Sequence, residues 1–382
     1  MKPETYDLLI VGGGAVGASL ARAARGLSAA LLAPKRRAAA PAPRGGFDAR
    51  TYALSPGNVE FLREIGAWQA LDAARLAPVR AMRVFGDDGE SKIEFDAYRA
   101  GVPELAWIVE DSALQDALWE GLDPIVAETE EIHFGEEIAS IALRGGKSLQ
   151  ARLVVGADGA NSLVRRAAGI AASESDYGQA AVVANFRCEK PHRDTAWQWF
   201  QRGPVLALLP LPGGQVSMVW SLPVAQAERI LRLEPAALCR EVEAASHGAL
   251  GALELSAAPR SYPLKRLQAR RLVAPRVALA GDAGHVVHPL AGQGLNLGLQ
   301  DVRALAAVLG SRGARDPGEL RLLRRYERAR AEPLLAMNIA VGGLFALFSG
   351  KSEAVSRLRN AGLNLTDRVP VLKNVLMRHA MS

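Results

Sequence analysis

The chain has 382 residues, of which 49% are hydrophobic and 23% charged, a composition typical of a globular enzyme whose length suits two domains that share a surface. Its two cysteines, Cys188 and Cys239, exclude a disulfide framework and favour a reducing cytosol, and its start turns polar and glycine-rich too early for a signal peptide. The net charge of +6 comes without a nucleic-acid recognition motif, so nucleic acid is excluded as an expected partner.

The order of the predicted elements indicates an α/β protein with an inserted sheet. Residues 6–11 predict a buried parallel strand, residues 18–25 a helix and residues 27–32 a second strand. From about 176 to 265 the sequence changes to short alternating runs broken by prolines and glycines, which predict a mainly antiparallel sheet. A strand at 277–280 and the helix that follows it then restore the α/β pattern. The sequence therefore predicts a discontinuous Rossmann-like domain interrupted by a β-sheet domain.

The predicted turn after the first strand carries a dinucleotide-binding fingerprint. Gly12 permits a tight turn, Gly14 lets the backbone approach a pyrophosphate beside Ala15 at the helix start, and Gly17 lets helix and strand pack closely. A tight turn without a ligand is the alternative. An acid is expected at the end of the second strand to hold a ribose hydroxyl, but Ala33 stands there. The adenosine ribose must then be held by other groups, and the basic residues that follow Ala33 either meet a phosphate or face water.

The last part of the chain predicts helices. Residues 333–348 are apolar except for Asn338 and, at roughly 16 residues, fall short of the ~20 needed to cross a bilayer, so a buried helix is expected and a membrane-dipping one is the alternative. Residues 351–382 hold six basic and two acidic groups, which predict a solvated tail or contact with an anionic membrane or acidic partner. The expected divisions are 1–75, 106–175 and 266–330 for the cofactor domain, 76–105 and 176–265 for the substrate domain, and 331–382 for a C-terminal helical region.

Three motifs occur in an order that resembles one enzyme class. The glycine-rich turn is followed by Asp158-Gly159 after a predicted buried strand, and then by Gly281-Asp282. In this order and at these separations they resemble the fingerprints of the flavoprotein aromatic hydroxylases, FAD-binding class A monooxygenases with the para-hydroxybenzoate hydroxylase fold. Within that class the chain is most similar to the ubiquinone-biosynthesis hydroxylases. The stretches that support this closer similarity are 46–55, 197–200, 203–210, 217–220, 326–328 and 358–363.

The resemblance implies roles for residues around the Gly-Asp motif. Asp282 would accept hydrogen bonds from the ribityl chain, as a buried carboxylate requires. The turn of Gly292, Gln293 and Gly294 would direct backbone amides and the positive helix end at the flavin pyrimidine ring, which carries negative charge when reduced. Pro289 would wall the flavin near its reactive edge without a competing N–H group.

The resemblance also implies contacts from other parts of the chain. Arg50 would approach a phosphate or the ribityl chain, and Gln115 would touch the cofactor. Ser112 departs from the family, which often has an arginine there, so Ala33 and Ser112 together leave the adenylate end short of contacts. The expected cofactor contacts are Gly12, Gly14, Ala15, Gly17, Arg50, Gln115, Asp158, Asp282, Pro289, Gly292, Gln293, Gly294 and Asn296.

Histidines and tryptophans are the remaining candidates. His285 and His288 lie three residues apart without a third ligand, so no metal is expected. They would pack and hydrogen-bond around the flavin, or one would deprotonate a phenol, and His288 and Pro289 are the catalytic candidates. Strand alternation places Trp197 and Trp199 on one face of the sheet. With Trp220 they either belong to the core or line an apolar substrate pocket.

The implied reaction is hydroxylation of an aromatic ring through a flavin C4a-hydroperoxide, with FAD as cofactor, NADPH or NADH as transient electron donor and O2 as co-substrate. A polyprenylated phenol of ubiquinone biosynthesis suits the apolar sheet and the basic tail. The protein would then be cytoplasmic and peripheral on the inner face of the membrane, or part of a ubiquinone-biosynthesis complex. The alternatives are a flavin hydroxylase of a soluble aromatic compound, a plain flavin oxidase or dehydrogenase, and a non-catalytic scaffold with the flavin fold.

Overall fold

The structure, a computed structural model, describes residues 4–37, 46–88, 91–201, 203–287 and 293–349, with the backbone alone for 340, 341 and 344–349. Within these ranges the strands are β1 (Glu4–Val11), β2 (Ala29–Ala33), β3 (Thr51–Leu54), β4 (Ala77–Val79), β5 (Ala81–Phe85), β6 (Lys92–Asp96), β7 (Ala106–Glu110), β8 (Ile125–Val126), β9 (Thr129–Phe134), β10 (Ala139–Leu143), β11 (Ser148–Gly156), β12 (Ala172–Cys188), β13 (Thr195–Phe200), β14 (Val205–Leu211), β15 (Gln215–Pro223), β16 (Leu253–Ala269), β17 (Val273–Ala274), β18 (Val277–Leu279) and β19 (His285–Val286). The helices are α1 (Ala15–Ala23), α2 (Pro56–Glu64), α3 (Ala97–Ala100), α4 (Asp111–Trp119), α5 (Leu163–Ala167), α6 (Val224–Leu231), α7 (Pro235–Ala245), α8 (Gly294–Gly310) and α9 (Leu320–Ser349).

The first sheet is built on the predicted N-terminal βαβ unit. Its strand order is β17-β18-β11-β1-β2-β8, and the strands from β18 to β8 run parallel. Leu8 and Ile10 pack in a cluster with α1, α2, α4 and α8, whereas Leu9 and Val11 pack with β9 and β10 on the other face. Burial on both faces explains why β1 is an unbroken apolar run. The predicted Rossmann-like α/β domain is confirmed.

The second sheet is the predicted β-rich insertion. Its order is β19-β16-β12-β15-β14-β13-β5-β6, and every pair in it is antiparallel except β13 with β5. Helices α6 and α7 cover one face, and the other face meets the cofactor domain. There the Asn185 amide donates to the carbonyls of Phe47 and Asp48 at 3.0 and 2.8 Å, and the Thr51 hydroxyl donates to Ser217 at 3.0 Å.

A third, small sheet of β3, β7 and β4 lies where the two domains meet, since its residues share a cluster with the second sheet. Within the predicted substrate-domain segment 76–105, β5 and β6 join the second sheet, whereas β4 pairs with β7 in the third sheet.

The other predicted divisions fall inside continuous elements. The divisions after residues 175 and 265 lie within β12 and β16, and the one after residue 330 lies within α9, which Pro333 does not end. Because β12 and β16 run unbroken across the predicted divisions, a change of sequence pattern does not mark where the domains divide.

Candidate active site

The glycine-rich turn between β1 and α1 has three differently used glycines. Gly12 has φ +115°, and a Cβ there would lie 2.2 Å from the carbonyl oxygen of Ala157. A Cβ on Gly17 would lie 1.9 Å from the carbonyl oxygen of Gly12. Gly14, the N-cap of α1, is different, because a Cβ there would meet nothing within 4 Å. Gly12 and Gly17 thus allow the backbone to pack, while Gly14 and the amides of α1 beginning at Ala15 border open space where an anion is favoured.

Asp158 lies beside this turn, at the end of β11. One carboxylate oxygen accepts hydrogen bonds from the amides of Leu163 and Val164 at 2.7 and 3.2 Å. The other oxygen is buried and has no hydrogen-bond partner within the described part of the chain. A buried acceptor without a partner is costly, so the second oxygen is suited to a donor from a ligand.

Asp282 lies in a single 3-10 turn, Gly281–Ala283, next to α1 and α8. A Cβ on Gly281 would lie 2.9 Å from the Val16 side chain, so the turn packs directly on α1. The Asp282 side chain is accessible to solvent, yet desolvation by the surrounding protein raises its carboxyl pKa, against the opposing charges of His285 and Arg50. An accessible but desolvated carboxylate is what the floor of a cleft provides.

A buried charge network holds this turn from behind. The Asp301 carboxylate, fully buried on α8, accepts the amide of Gly281 at 2.8 Å, His285 Nε2 at 2.6 Å and Arg330 Nε at 2.6 Å. Burial by itself raises the carboxyl pKa, but His285, Arg330 and the Gly281 amide together hold the pKa of Asp301 below its usual value. His285 is 2% exposed and bound to Asp301, so the structure gives it a positioning role and not that of a general base.

Arg50 joins the cleft to the second sheet. Its guanidinium lies over the rings of Tyr52 and Tyr262, 5.2 and 5.5 Å from their centroids. The Tyr52 hydroxyl donates to Asp111 at 2.8 Å, and burial together with that carboxylate raises the phenol pKa well above its usual value. Desolvation raises the carboxyl pKa of Asp282, and the charge of Arg50 opposes that rise.

At the adenylate end of the predicted FAD site, neighbouring side chains pack around Ala33 and Ser112, the two positions that depart from the family pattern. Trp119 donates its indole N–H to the carbonyl of Gly13 at 2.8 Å, and a Cβ on Gly13 would lie 3.0 Å from that of Ala33. The Arg37 guanidinium donates to the carbonyl of Ser112 at 3.1 Å. A guanidinium therefore lies beside Ser112 although the arginine expected there is missing.

Gln115 is held by its neighbours. Its amide donates to Asp111 at 2.7 Å, and its oxygen accepts from Arg37 at 3.4 Å, while Arg37 also pairs with Asp116 at 2.6 Å. These hydrogen bonds hold the Gln115 side chain against Asp111 and Arg37 on the surface of α4.

The start of α8 contains further predicted contacts. Gln293 is the N-cap, and a Cβ on Gly294 would meet no atom of the described residues within 4 Å. Asn296 is 1% exposed, its side-chain oxygen accepts from the Ser55 amide and from Asn58 Nδ2, and its Nδ2 donates to the Ala53 carbonyl. It ties α8 to β3 and α2. The predicted residues that lie outside the described ranges are His288, Pro289 and Gly292.

The three tryptophans are placed in the core. Trp197 and Trp199 stack with centroids 5.9 Å apart, and Trp199 and Trp220 are 3% and 5% exposed. All three belong to the cluster under α6 and α7, on the face opposite to Asn185 and Ser217. Of the two interpretations, the structure favours the core, because α6 and α7 pack on the face of the sheet that carries these tryptophans.

A cavity of about 660 Å³ lies between residues 46–50, the start of α4 and strands β12 and β16. Arg50, Arg187 and Arg260 line it together with Tyr262 and Ser112. Arg50 lines this cavity and is also one of the predicted cofactor contacts, whereas the glycines of the β1–α1 turn and Asp282 are not among the lining residues.

Three features together fit the extended dinucleotide FAD. They are the open space at Gly14, the unpartnered oxygen of Asp158 and the accessible, desolvated Asp282. A diphosphate suits the first, and ligand hydroxyls suit the two carboxylates.

Comparison with known proteins supports the same cofactor. The family model for an FAD binding domain matches residues 5–337. The chain belongs to this family of FAD-binding proteins. Within the family it is 34% identical to the 3-demethoxyubiquinol 3-hydroxylase of Escherichia coli K12, over 100% of both chains, and 34% identical to the ubiquinone hydroxylase UbiL of Rhodospirillum rubrum, over 99% of this chain and 90% of that one. The chain is thus a member of the ubiquinone-biosynthesis FAD hydroxylases, and the resemblance predicted from its motifs is confirmed.

A solved structure shows the same fold. The structure of Klebsiella pneumoniae HpxO, complexed with FAD and uric acid, superposes with a TM-score of 0.77 over 99% of this chain and 97% of that one, at 19% identity. At this identity the likeness extends to the fold alone. In the described part of this FAD hydroxylase, no helix is long and apolar enough to span a membrane.

Sequence reasoning missed three residues of this FAD hydroxylase's site region. Asp301, Arg330 and Trp119 all act on segments distant in sequence. Arg37 belongs to the basic run after Ala33 that was predicted to meet a phosphate or face water, and in the structure its guanidinium pairs with Asp116 at 2.6 Å. Asp301 gave the clearest local signal, since it is a carboxylate on the apolar face of a predicted helix and needs partners.

Proposed function

We propose that this FAD hydroxylase inserts one oxygen atom of O2 into the aromatic ring of a polyprenylated phenol in ubiquinone biosynthesis, with NADH or NADPH as the transient electron donor. The observation that carries the proposal is the 34% identity, over the whole of both chains, to an enzyme named 3-demethoxyubiquinol 3-hydroxylase. The cleft described above agrees with it, because it offers groups suited to FAD next to a sheet that excludes water.

FAD, when bound, supplies the electron transfer and oxygen activation. The residues of the chain bind and orient it. Gly14 and the first amides of α1 would hold the diphosphate, and the free oxygen of Asp158 would accept from a ligand hydroxyl. Asp282 would accept from the ribityl chain, in a position set by Asp301.

The substrate ring would lie between this cleft and the face of the second sheet that meets the cofactor domain. Ala181 and Val183 on that face are 5% and 6% exposed, and Tyr262 pairs with Ala181 on the neighbouring strand. An apolar wall of this kind keeps water from the reacting atoms, which limits side reactions of an activated cofactor.

We also propose a peripheral contact with an anionic membrane, where a polyprenylated substrate resides. Leu335 and Ile339 are 61% and 65% exposed and lie four residues apart on one face of α9, which leads toward the basic residues 351–382. Replacing both by Asn should lower the bound fraction in flotation with phosphatidylserine vesicles, whereas Val224→Asn, at an apolar position 46% exposed on α6, should not. Equal binding by all three proteins would contradict this membrane contact.

The test of the reaction begins with a visible absorption spectrum and the flavin stoichiometry of the purified protein. A short-chain prenylated demethoxyubiquinol is then turned over with NADH or NADPH under isotopically labelled O2. The proposal expects a yellow protein and one labelled oxygen atom in the product. A protein that takes up no FAD would favour a scaffold, and O2 consumption without labelled product would favour an oxidase. Preferred turnover of water-soluble phenols would favour a soluble-substrate hydroxylase.

A further inference from the structure

We propose that the cavity between residues 46–50 and strands β12 and β16 binds the diphosphate of the nicotinamide dinucleotide that reduces the flavin, with Arg260 and Arg187 as its anion-binding residues. The inference rests on the proposed function and assigns a place to the electron donor, for which the sequence contains no second G-x-G-x-x-G motif.

The charge of the cavity wall is suited to a diphosphate. Arg260 and Arg50 make no ion pair with a carboxylate of the described residues. Arg187 has one carboxylate neighbour, Glu254, at 3.8 Å, and both side chains of that pair are more than half exposed, so the pair is loose. Guanidinium groups with free N–H donors bind phosphate oxygens bidentately.

The carboxylates in the wall are already hydrogen-bonded by other groups. Asp48 accepts the amide of Ser112 at 2.8 Å, and Asp111 accepts the Tyr52 hydroxyl and the Gln115 amide at 2.8 and 2.7 Å. Neither carboxylate pairs with a cavity arginine within the described ranges, so the guanidinium donors stay available to a ligand.

The location suits the electron donor better than the other ligands. Arg50 lines the cavity and directly precedes β3, whose Ala53 carbonyl accepts from Asn296 near the start of α8 at 2.8 Å. Since α8 also holds the Gly281 turn through Asp301, the cavity lies beside the end of the cleft where the flavin would lie. Its volume of about 660 Å³ is typical of small-molecule sites. Three arginines in the wall make it unsuited to an isoprenoid chain, whose burial requires apolar surface.

The redox step itself is assigned to no residue. When both cofactors are bound, the reduced nicotinamide would supply one hydride to the oxidised flavin and would leave as the oxidised dinucleotide. The arginines only hold the donor while this hydride moves.

The experiment uses the full-length, FAD-loaded protein and the variants Arg260→Gln and Arg187→Gln. The control is Arg266→Gln, which makes the same charge change at another exposed arginine of β16, outside the cavity. Calorimetric titration with ADP-ribose, which carries the diphosphate but no nicotinamide, measures binding without turnover. Anaerobic stopped-flow reduction of the flavin by NADH and by NADPH gives the donor concentration for half-maximal rate.

Arg260→Gln should weaken ADP-ribose binding, and raise the half-maximal donor concentration, by about tenfold or more, since a charge-assisted hydrogen bond is lost. FAD content and the limiting reduction rate should stay unchanged, and Arg266→Gln should match the parent protein. Unchanged ADP-ribose binding in both cavity variants would overturn the inference, as would loss of FAD from Arg260→Gln, which would assign the cavity to FAD. A parent protein that neither NADH nor NADPH reduces would overturn the proposed function instead, while ADP-ribose binding would still decide the site.

Discussion

Replacing Asp301 by Asn removes one charge from the network behind the Gly281 turn. Asp301 is 0% exposed and accepts three hydrogen bonds, including one from Arg330, which is itself 4% exposed. The variant leaves the buried guanidinium without its counter-charge. Breaking a buried pair from one side costs about 3–5 kcal/mol, so we expect a loss of that size in the free energy of unfolding.

The loss in free energy of unfolding caused by Asp301→Asn should become smaller as the pH falls. The folded protein holds the carboxyl pKa of Asp301 below its ordinary value, so its stabilisation is complete above about pH 4, the ordinary Asp value, and disappears as the pH falls toward the folded-state pKa. The difference in stability between parent and Asp301→Asn should therefore narrow in acid.

Urea unfolding followed by circular dichroism, with and without added FAD, measures the difference. The control is Glu241→Gln, which breaks an exposed pair with Arg229 at 2.7 Å and should cost far less. FAD should also bind more weakly to Asp301→Asn, because one amide oxygen replaces two carboxylate oxygens and the donors of Gly281, His285 and Arg330 must then compete for it. Equal free energies of unfolding for Asp301→Asn and Glu241→Gln at neutral pH would show that the buried network does not stabilise the folded protein.

Three further predictions concern neighbouring positions. Asp282→Asn should stabilise the apoprotein at neutral pH, because the folded protein raises the carboxyl pKa of Asp282 and thereby disfavours its ionised form. The difference in stability from the parent should disappear below about pH 4, where the carboxyl group is protonated in both the folded and the unfolded state. The variant should nevertheless lose FAD during gel filtration. Gly12→Ala should prevent formation of a folded, FAD-binding protein, because of the clash with the neighbouring backbone, whereas Gly26→Ala, at φ +71° with open space around it, should cost only about 1–2 kcal/mol. Asn296→Ala should lower the free energy of unfolding by about 1–3 kcal/mol per unpaired buried group, measured by urea unfolding, and leave the FAD dissociation constant of the folded protein unchanged.

Each of these predictions has an outcome that contradicts it. An Asp282→Asn protein as yellow as the parent would remove Asp282 from the cofactor contacts. Equal yields of folded, flavin-containing Gly12→Ala and Gly26→Ala would show that the β1–α1 turn tolerates a side chain. A raised FAD dissociation constant in Asn296→Ala would show that Asn296 contributes to cofactor binding.

The elements that the sequence predicted best are those set by local chemistry. The first βαβ unit follows from a doubly buried apolar run and from glycines that the turn geometry requires, and β1 with Gly12 agree with that prediction. Boundaries were less predictable. Helix α1 begins at Ala15, three residues before the predicted start, because Gly14 as N-cap lets the helix begin directly after the turn.

The tryptophans show what the sequence pattern of a strand leaves undecided. Alternation placed Trp197 and Trp199 on one face of the sheet, and their stacked rings agree. Which face meets the cofactor depends on the packing of α6 and α7, which a strand pattern does not contain.

The sequence by itself determined the fold class, because turn glycines and strand periodicity act over a few residues. The order of the three motifs carried the resemblance to the family. Only the tertiary structure decided that Asp301 holds the Asp282 turn, that Arg37 lies beside Ser112, and that Asn296 joins three elements. Those pairings connect residues far apart in the chain. A charged residue in an apolar segment indicates that a partner is needed, but only the tertiary structure shows which distant group is that partner.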